Sequence, residues 1–485
     1  MAIAVAPFPK PGHSNGRLVV VSNRVPGYPG SRSSENANMR PAGGLVSALR
    51  SALKKRSGLW FGWSGEATLY RAPMRPKIRR LGSMDLATID LTKNEVNEFY
   101  REFSNRTLWP LFHGFTHYVS LSRNAYSTYL QVNHRFASSL FPLLRHGDLV
   151  WVHDYHLIPL GAGLRQLGWT GHLGFFLHIP FPSVDTFTAL PWSQAFLKNL
   201  MAYDLLGFHT EQYSLNFVDA LDTERGRILD GDTYRRRTSS FRVGVYPVGT
   251  EPELFTGWAH GLEAIRYRDR LRRLAGAERI VLGVDRLDYT KGITHRLAAF
   301  EKLLECSPSW HRRVSMIQIS APSRTNVPEY KATKGEVDQL VKRINRRFSS
   351  GDWIPIHHLY HSYSQKELCA FYREADVCLV TPLRDGMNLV AKEYIASQVE
   401  NPGVLVLSRF CGAAENLREA MIINPYDTKG TANTLKQALE MPLREREVRW
   451  GALNRRVRTY TAQTWSDKFL ADLIQTTCEL QRQIA

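Results

Sequence analysis

The chain is built on short, nearly uninterrupted apolar runs, each followed by a charged or glycine-rich turn and then by an amphipathic stretch. In the first half the runs predict strands at Leu18–Ser22, Leu149–His153, Leu173–His178, Leu205–Phe208 and Val243–Pro247. In the second half they predict strands at Ile280–Val284, Ser315–Ser320, Ile354–His358, Val377–Val380, Val404–Leu407 and Met421–Ile423. Strands without polar alternation are buried on both faces, as in a parallel sheet covered by helices. Stretches of helical period, such as Thr210–Leu221 and Gln365–Glu374, separate them. The pattern predicts an α/β protein with two doubly wound, Rossmann-like domains.

Length supports two domains, since 485 residues exceed the roughly 250–300 that one core sustains. The seam is expected after Tyr246-Pro-Val-Gly-Thr-Glu-Pro252, with Glu263–Arg273 forming a helical lead into the next strand. The expected division is a leader at 1–16, an N-terminal domain at 17–248, a C-terminal domain at 249–462 and a terminal segment at 463–485. The leader, interrupted by Pro7, Pro9 and Pro11, is expected to be disordered. Gly27–Pro41, rich in Gly, Ser, Pro and Asn, reads as a loop, either mobile or a passive insertion.

Composition narrows the function. No apolar run reaches the ~18 residues needed to cross a bilayer, so a cytoplasmic protein with no membrane partner is expected. The five cysteines, Cys306, Cys369, Cys378, Cys411 and Cys478, form no C-x-x-C pair, so reduced thiols are expected rather than disulfides or a zinc cage. The net charge of +18 suits either nucleic acid or anionic small substrates. The basic residues fall in separate clusters, at Arg75–Arg80, Arg235–Arg237, Arg266–Arg273 and Arg312–Arg313, and no nucleic-acid-binding motif accompanies them. No nucleic acid is therefore expected, and a generally basic surface accounts for most of the clusters.

In an open α/β sheet, ligands bind beyond the carboxyl ends of the strands. The residues with chemistry to offer lie there. Ser22-Asn23-Arg24 follows the first strand, and Ala42-Gly43-Gly44-Leu45 precedes an expected helix at Leu45–Leu53, where backbone amides favour an anion. The segment is not G-x-G-x-x-G, so no dinucleotide cofactor is inferred. His153-Asp154-Tyr155-His156 and His178-Ile179-Pro180 follow the next two strands. No further ligand spacing supports a metal there, and sugar hydroxyls suit an acid and a histidine better.

The second half is sharper. Asp285-Arg286-Leu287-Asp288-Tyr289-Thr290-Lys291-Gly292 places two cations at a strand end, fit to clamp a diphosphate. Thr381-Pro382-Leu383-Arg384-Asp385-Gly386-Met387-Asn388-Leu389-Val390-Ala391-Lys392-Glu393 reads as a helix entered at Asp385, with Glu393 roughly 12 Å further along its axis. The amides of Gly386–Leu389 would then form a helix N-terminus between two carboxylates. One element of that kind spans a sugar, a pyrophosphate and a ribose.

With these residues the chain resembles the trehalose-6-phosphate synthases, retaining glycosyltransferases of the GT-B fold in glycosyltransferase family 20. The resemblance runs from about Arg17 to about Asp472. It rests on Leu18–Arg24, Gly58–Gly65, Phe103–Asn105 with Leu108–Pro110, His153–His156, Phe176–Pro182, Asp285–Gly292 and Thr381–Glu393. It implies that Gly43, Gly44, His178, Arg286, Lys291, Asp385 and Glu393 belong to the donor site, together with Leu368 near the base and the backbone of Gly386, Met387, Asn388, Leu389 and Val390. His178 and Asp385 would meet the transferred glucose, Arg286 and Lys291 the diphosphate, and Glu393 the ribose. Arg24, Tyr100, Trp109 and Arg324 would receive the acceptor's phosphate and ring, with Asp154 near its hydroxyls. The catalytic set is then Asp154, His178, Arg286, Lys291 and Asp385. A last helix at Thr464–Leu480 would cross back to the first domain.

The chain departs from the family pattern in the longer loop at Gly27–Pro41, in Asp185 where many members carry Glu, and in Thr250 where an aliphatic residue is usual. No phosphatase domain follows, so the product is expected to keep its phosphate. The implied reaction moves glucose with retention, by front-face displacement, from a nucleotide diphosphate (uridine ahead of guanosine or adenosine) to glucose 6-phosphate. No metal and no cofactor are expected, and a homo-oligomer is admitted. Two other readings remain: a relative using glycerol phosphate or a cyclitol phosphate as acceptor, and a catalytically silent sugar-phosphate sensor.

Overall fold

The computed structural model describes residues 16–25, 49, 53, 58–70, 75–222, 227–230, 233–236 and 239–484. Two sheets organise them. The first holds β1 (Leu18–Arg24), β2 (Gly58–Thr68), β3 (Lys77–Leu81), β4 (Met84–Thr92), β5 (Leu149–His153), β6 (Leu173–Phe176), β7 (Leu205–Phe208), β8 (Arg227–Asp230), β9 (Thr233–Arg236) and β10 (Ser239–Val245). Across the sheet they run β3-β4-β2-β1-β5-β6-β7-β10-β9-β8. Pairing is parallel except between β3 and β4 and between β9 and its two neighbours. The second sheet holds β11 (Arg279–Arg286), β12 (Val314–Ala321), β13 (Ile356–Leu359), β14 (Val377–Val380), β15 (Val404–Ser408) and β16 (Met421–Ile423). It runs β13-β12-β11-β14-β15-β16, parallel throughout.

Along its parallel strands each sheet reverses its order once. The first does so between β1 and β5, the second between β11 and β14. At a reversal the connections leave to opposite sides and open a crevice beyond the carboxyl ends. This is the GT-B architecture, with the two crevices facing one another.

All the expected strands are present, several with shifted ends; Val243–Pro247, for example, is preceded by pairing from Ser239. The sequence pattern missed β2, β3, β4, β8 and β9. β2 is broken by Gly58, Gly62 and Gly65, β3 is exposed along its length, and β4 carries Asp85 and Asp90. Hairpins and edges carry polar residues and lose the apolar run that marks a central strand.

Two further elements shape the site. Val96–Leu108 is a thirteen-residue π-helix, whose Ser104 hydroxyl and Asn105 amide also donate five residues back, to the carbonyls of Phe99 and Tyr100. Such wide turns are rare and gather at functional sites. The last helix, Ala462–Ile484, returns to the first sheet. There the ring of Phe469 packs 4.6 Å from Trp151. Gly174 and Gly207 make room for it, since a methyl on either would lie 2.8 Å from that ring. The two passages between the sheets run side by side, with the Ala462 amide donating to the Thr250 carbonyl at 2.9 Å. The expected leader, apart from Gly16, the loop Gly27–Pro41, and Gly43 and Gly44 lie outside the described residues. Of the expected helix Leu45–Leu53, only Leu49 and Leu53 are described; both are helical and buried.

Candidate active site

At the crevice of the second sheet, β11 leads into a tight turn closed by Gly292 at φ 61°. A methyl there would lie 2.2 Å from the Thr381 carbonyl oxygen. This close approach joins the turn to the chain after β14, and the Lys291 Nζ sits 2.6 Å from the Asp385 Oδ2. Asp385 also accepts from the Asn388 amide at 3.1 Å and the Gly386 N–H at 3.0 Å. Burial alone would raise its carboxyl, but Lys291 more than offsets this and holds it below the ordinary value.

The helix expected to start at Asp385 begins instead at Leu389 and runs to Ser397. Gly386–Asn388 form an irregular turn, and Asn388, at φ 73°, caps the helix by accepting from the Ala391 N–H. The run to Glu393 is therefore not one continuous helix axis. The reason lies across the cleft: a methyl on Gly386 would sit 2.0 Å from the His178 carbonyl oxygen, so the chain passes flush against the other domain before turning into the helix. Glu393 is buried, with its carboxylate accepting from the Tyr372 hydroxyl at 3.1 Å and the Gln365 amide at 3.3 Å. Burial pushes it up to about 7. Leu368, on the same helix as Gln365 and Tyr372, is half-buried in one apolar cluster with Leu389 and Val390, and Met387 is buried in that cluster.

The crevice of the first sheet receives Arg24 from β1 and Asp154 from β5. The Arg24 guanidinium lies 5.8 Å from the centre of the Trp63 ring. Burial lowers its pKa against the opposing influence of Tyr100 and Glu66. Tyr100 projects from the π-helix and stacks on His156 at 5.8 Å. Asp154 adopts φ 75°, uncommon for a residue with a side chain. Burial pushes its carboxyl up to about 6, although it accepts from the His178 N–H at 3.3 Å.

Trp109 joins the crevices. Its ring carries the Arg324 guanidinium at 4.0 Å and the Arg286 guanidinium at 5.6 Å. Arg324, at φ 47°, is paired with Asp288 at 3.3 Å, donates to the Tyr155 hydroxyl at 3.1 Å and bonds the Tyr330 hydroxyl. Tyr100 also contributes to the electrostatic surroundings of both Arg24 and Arg324. Arg286 makes no ion pair among the described residues.

Behind the junction lie His153, His178 and His209. His153 and His178 share one hydrogen bond at 3.0 Å. Burial holds His153 and His209 down to about 3 and His178 well below its ordinary value, so the cluster is neutral at pH 7.

The described residues expected at the site thus converge from both domains. Several partners were not expected: Asp288, Tyr155, Tyr330, Tyr372, Gln365, Trp63 and His113. His113 packs its ring 4.2 Å from Trp109 and bonds the Trp109 carbonyl, and burial holds it near 4. Of these partners, Asp288 lies inside the Asp285–Gly292 motif, Tyr155 inside His153–His156 and Trp63 inside Gly58–Gly65, so these three carried a signal in the sequence. Among the described residues no group of three or more His, Cys, Asp or Glu side chains is arranged to hold a metal ion, and no helix is long and apolar enough to cross a membrane.

Comparison with known proteins agrees with this geometry. A trehalose-6-phosphate synthase of Sinorhizobium fredii is 40% identical over 460 residues, covering 94% of this chain and 98% of that protein. The structure of a UDP-forming α,α-trehalose-phosphate synthase from Burkholderia xenovorans in complex with glucose-6-phosphate superposes with a TM-score of 0.89. It is 40% identical and covers 94% of this chain and 100% of that one. An E. coli structure bound with UDP-2-fluoro glucose gives a TM-score of 0.87 at 40% identity, over 94% and 99% of the two chains. The family model for glycosyltransferase family 20 matches residues 16–475, nearly the whole length, and with it the chain belongs to glycosyltransferase family 20.

Proposed function

We propose that the protein is an α,α-trehalose-6-phosphate synthase that transfers glucose, with retention, from UDP-glucose to glucose 6-phosphate. The observation that carries the reading is the convergence on Trp109 of the first domain, where Arg286 at the end of β11 and Arg324 beyond the end of β12, both from the second domain, lie over a single ring. One anion on each side of that ring, a diphosphate and a sugar phosphate, satisfies both cations. The similar structures that hold glucose-6-phosphate and UDP-2-fluoro glucose support this choice of substrates.

In this reading the glycosidic bond to the diphosphate breaks first, through an oxocarbenium-like state. Negative charge gathers on the leaving phosphate. Arg286, Lys291 and the first amides of the helix at Leu389 stand where it gathers, which is electrostatic stabilisation of the transition state. Asp385 is held by Lys291, Asn388 and its neighbouring amide. So held, it receives hydroxyls of the glucose rather than attacking its carbon. The acceptor hydroxyl enters on the face the phosphate leaves, and that phosphate takes its proton. Glu393 receives the ribose, and Arg24, Tyr100 and Arg324 the acceptor's phosphate.

The test is a matrix of UDP-, GDP- and ADP-glucose against glucose 6-phosphate, glucose, glycerol phosphate and a cyclitol phosphate, with and without EDTA and with the product identified. Trehalose 6-phosphate from UDP-glucose, formed at an unchanged rate in EDTA, is expected. Turnover only with another acceptor, or none with any, would replace this reading with the alternative transferase or the silent sensor. Reversible loss of turnover in EDTA would remove metal independence from it.

A further inference from the structure

We propose that Glu329 is a positioning residue: paired with Arg106 across the cleft, it holds the start of the helix Pro328–Phe348, and through it Arg324, in place to receive the acceptor's phosphate. The inference rests on the proposed function and concerns its acceptor site.

Arg106 belongs to the π-helix of the first domain, one turn beyond Glu102 and on the same element as Tyr100. Its guanidinium reaches the Glu329 carboxylate of the second domain at 3.0 Å and Glu102 at 3.0 Å. The Glu329 side chain is only 17% exposed, and its second oxygen is buried without a partner. A buried carboxylate oxygen left unpaired needs its one ion pair to be well made.

The neighbour of Glu329 in the chain is Tyr330, and Tyr330 is bound into the arginine site. Its hydroxyl donates to Asp288 at 3.2 Å and bonds Arg324. Its ring meets Tyr289 edge-on at 5.5 Å. Tyr289 in turn meets Phe115 at 5.4 Å and Tyr118 at 4.8 Å, both from the first domain. The two domains thus touch on both sides of Tyr330, by an ion pair at Glu329 and by rings at Tyr289. Arg324 adopts φ 47° only four residues before the helix starts, so its placement depends on where the helix begins. The ion pair makes closure of the cleft and the position of Arg324 one event, because each is favoured by the same arrangement of the helix.

The test is steady-state kinetics of Glu329→Gln, Arg106→Gln and the charge-reversed pair Arg106→Glu with Glu329→Arg, with thermal melting to establish folding. A part-exposed pair accounts for a factor of about two to five. The acceptor KM is expected to rise by that factor in either single variant, with the donor KM unmoved, and the reversed pair is expected to recover most of it. In 1 M salt the wild-type acceptor KM should move toward that of the variants. An unchanged acceptor KM, equal changes in the two KM values, or defects that simply add in the reversed pair would overturn the assignment. A wild-type protein that does not use glucose 6-phosphate would instead overturn the function on which it rests, so the two failures are distinguishable. Should Arg106→Gln fail to fold, Glu329→Gln alone decides by the split between the two KM values.

Discussion

The two crevices are the same topological device with opposite electrostatic states. At β11 and β14 the charges are paired before any ligand arrives: Lys291 lies 2.6 Å from Asp385, and Asn388 and Gly386 complete the shell of that carboxylate. On the acceptor side the guanidiniums of Arg24, over Trp63, and Arg324, over Trp109, have one ion-paired carboxylate between them among the described residues, that of Asp288. The crevice of the second sheet is thus preorganised around a neutral pair. The acceptor side, facing the crevice of the first sheet, holds surplus positive charge that only an anion can balance. Removing a partner from a paired site leaves an uncompensated buried charge, whereas removing a cation from a surplus site subtracts only its own attraction. The two crevices should therefore fail in different ways when mutated.

The largest effect is expected at the paired crevice. Lys291→Ala leaves the Asp385 carboxylate bare beside the leaving diphosphate, and Arg286→Ala removes the cation that has no ion pair of its own. Each should lower kcat/KM by about 10²–10³-fold, the lysine variant by more, which is about 3–4 kcal/mol. Because the pair acts as a unit, Lys291→Ala combined with Asp385→Ala should fall well short of the product of the two single losses. A folded Arg286→Ala, Lys291→Ala double variant with near-native turnover would show that the diphosphate is held elsewhere.

The contact between the crevices comes next. Gly386→Ala would place a methyl 2.0 Å from the His178 carbonyl oxygen, so one domain must withdraw from the other. Misplacement of about 1 Å costs about 10²-fold in rate. Turnover should fall by roughly that factor while the melting temperature changes little, since each domain keeps its own core. Unchanged turnover would mean that closure at this point is not part of the reaction.

At the surplus crevice the loss should be one of binding. Arg324→Ala removes charge-assisted bonds worth about 1.5–3 kcal/mol, so the acceptor KM should rise about 10- to 100-fold with the donor KM nearly constant, and because the buried Asp288 loses its ion pair the melting temperature should fall as well. Arg324→Lys should recover little, because the planar guanidinium that stacks on Trp109 is lost. Free glucose, lacking the anion, should be a correspondingly poor acceptor for the wild type. A defect confined to the donor KM would reverse the assignment of the two crevices.

What the sequence disclosed follows from the same comparison. The paired crevice was legible because its charges sit in two contiguous motifs, Asp285–Gly292 and Thr381–Glu393, at the ends of strongly apolar strands. The surplus crevice was harder to read. Arg324, Tyr100 and Trp109 follow no common pattern and came only through the family resemblance, while Tyr330 and Glu329 carried no signal at all. Their roles depend on contacts with residues up to 42 positions away for Tyr330 and 223 for Glu329, which no local period encodes. The same cause explains the error at Asp385. The motif reads as a helix entered at Asp385, but packing of Gly386 on His178 delays the helix to Leu389.

The smallest effect is a pH dependence, and it separates Glu393 from every other group in the paired crevice. Burial raises this carboxyl from an ordinary 4.5 to about 7. Between those values the folded chain keeps a proton that the unfolded chain has released. The contribution to stability is therefore complete below about 4.5 and is lost as pH rises through 7. Two neighbours titrate as well. Burial lowers Lys392, whose Nζ bonds the Val248 carbonyl, to about 7, which acts in the opposite sense from pH 7 upward. Burial raises Asp154 to about 6, with the same sign as Glu393 and a lower window. Both are common to wild type and Glu393→Gln, so the difference between the two proteins isolates Glu393. Glutamine keeps the shape and can accept from Tyr372, but it cannot ionise. The stability of Glu393→Gln relative to wild type should therefore grow between pH 5 and 8, by on the order of 1–3 kcal/mol. Over the same range the wild-type donor KM should fall as the carboxylate forms to receive the ribose hydroxyls, while that of the variant stays flat. Denaturation curves and donor saturation at each pH measure the two. A stability gap that does not change with pH would mean that Glu393 is ionised throughout, and that its carboxylate, like that of Asp385, is already balanced before the donor binds.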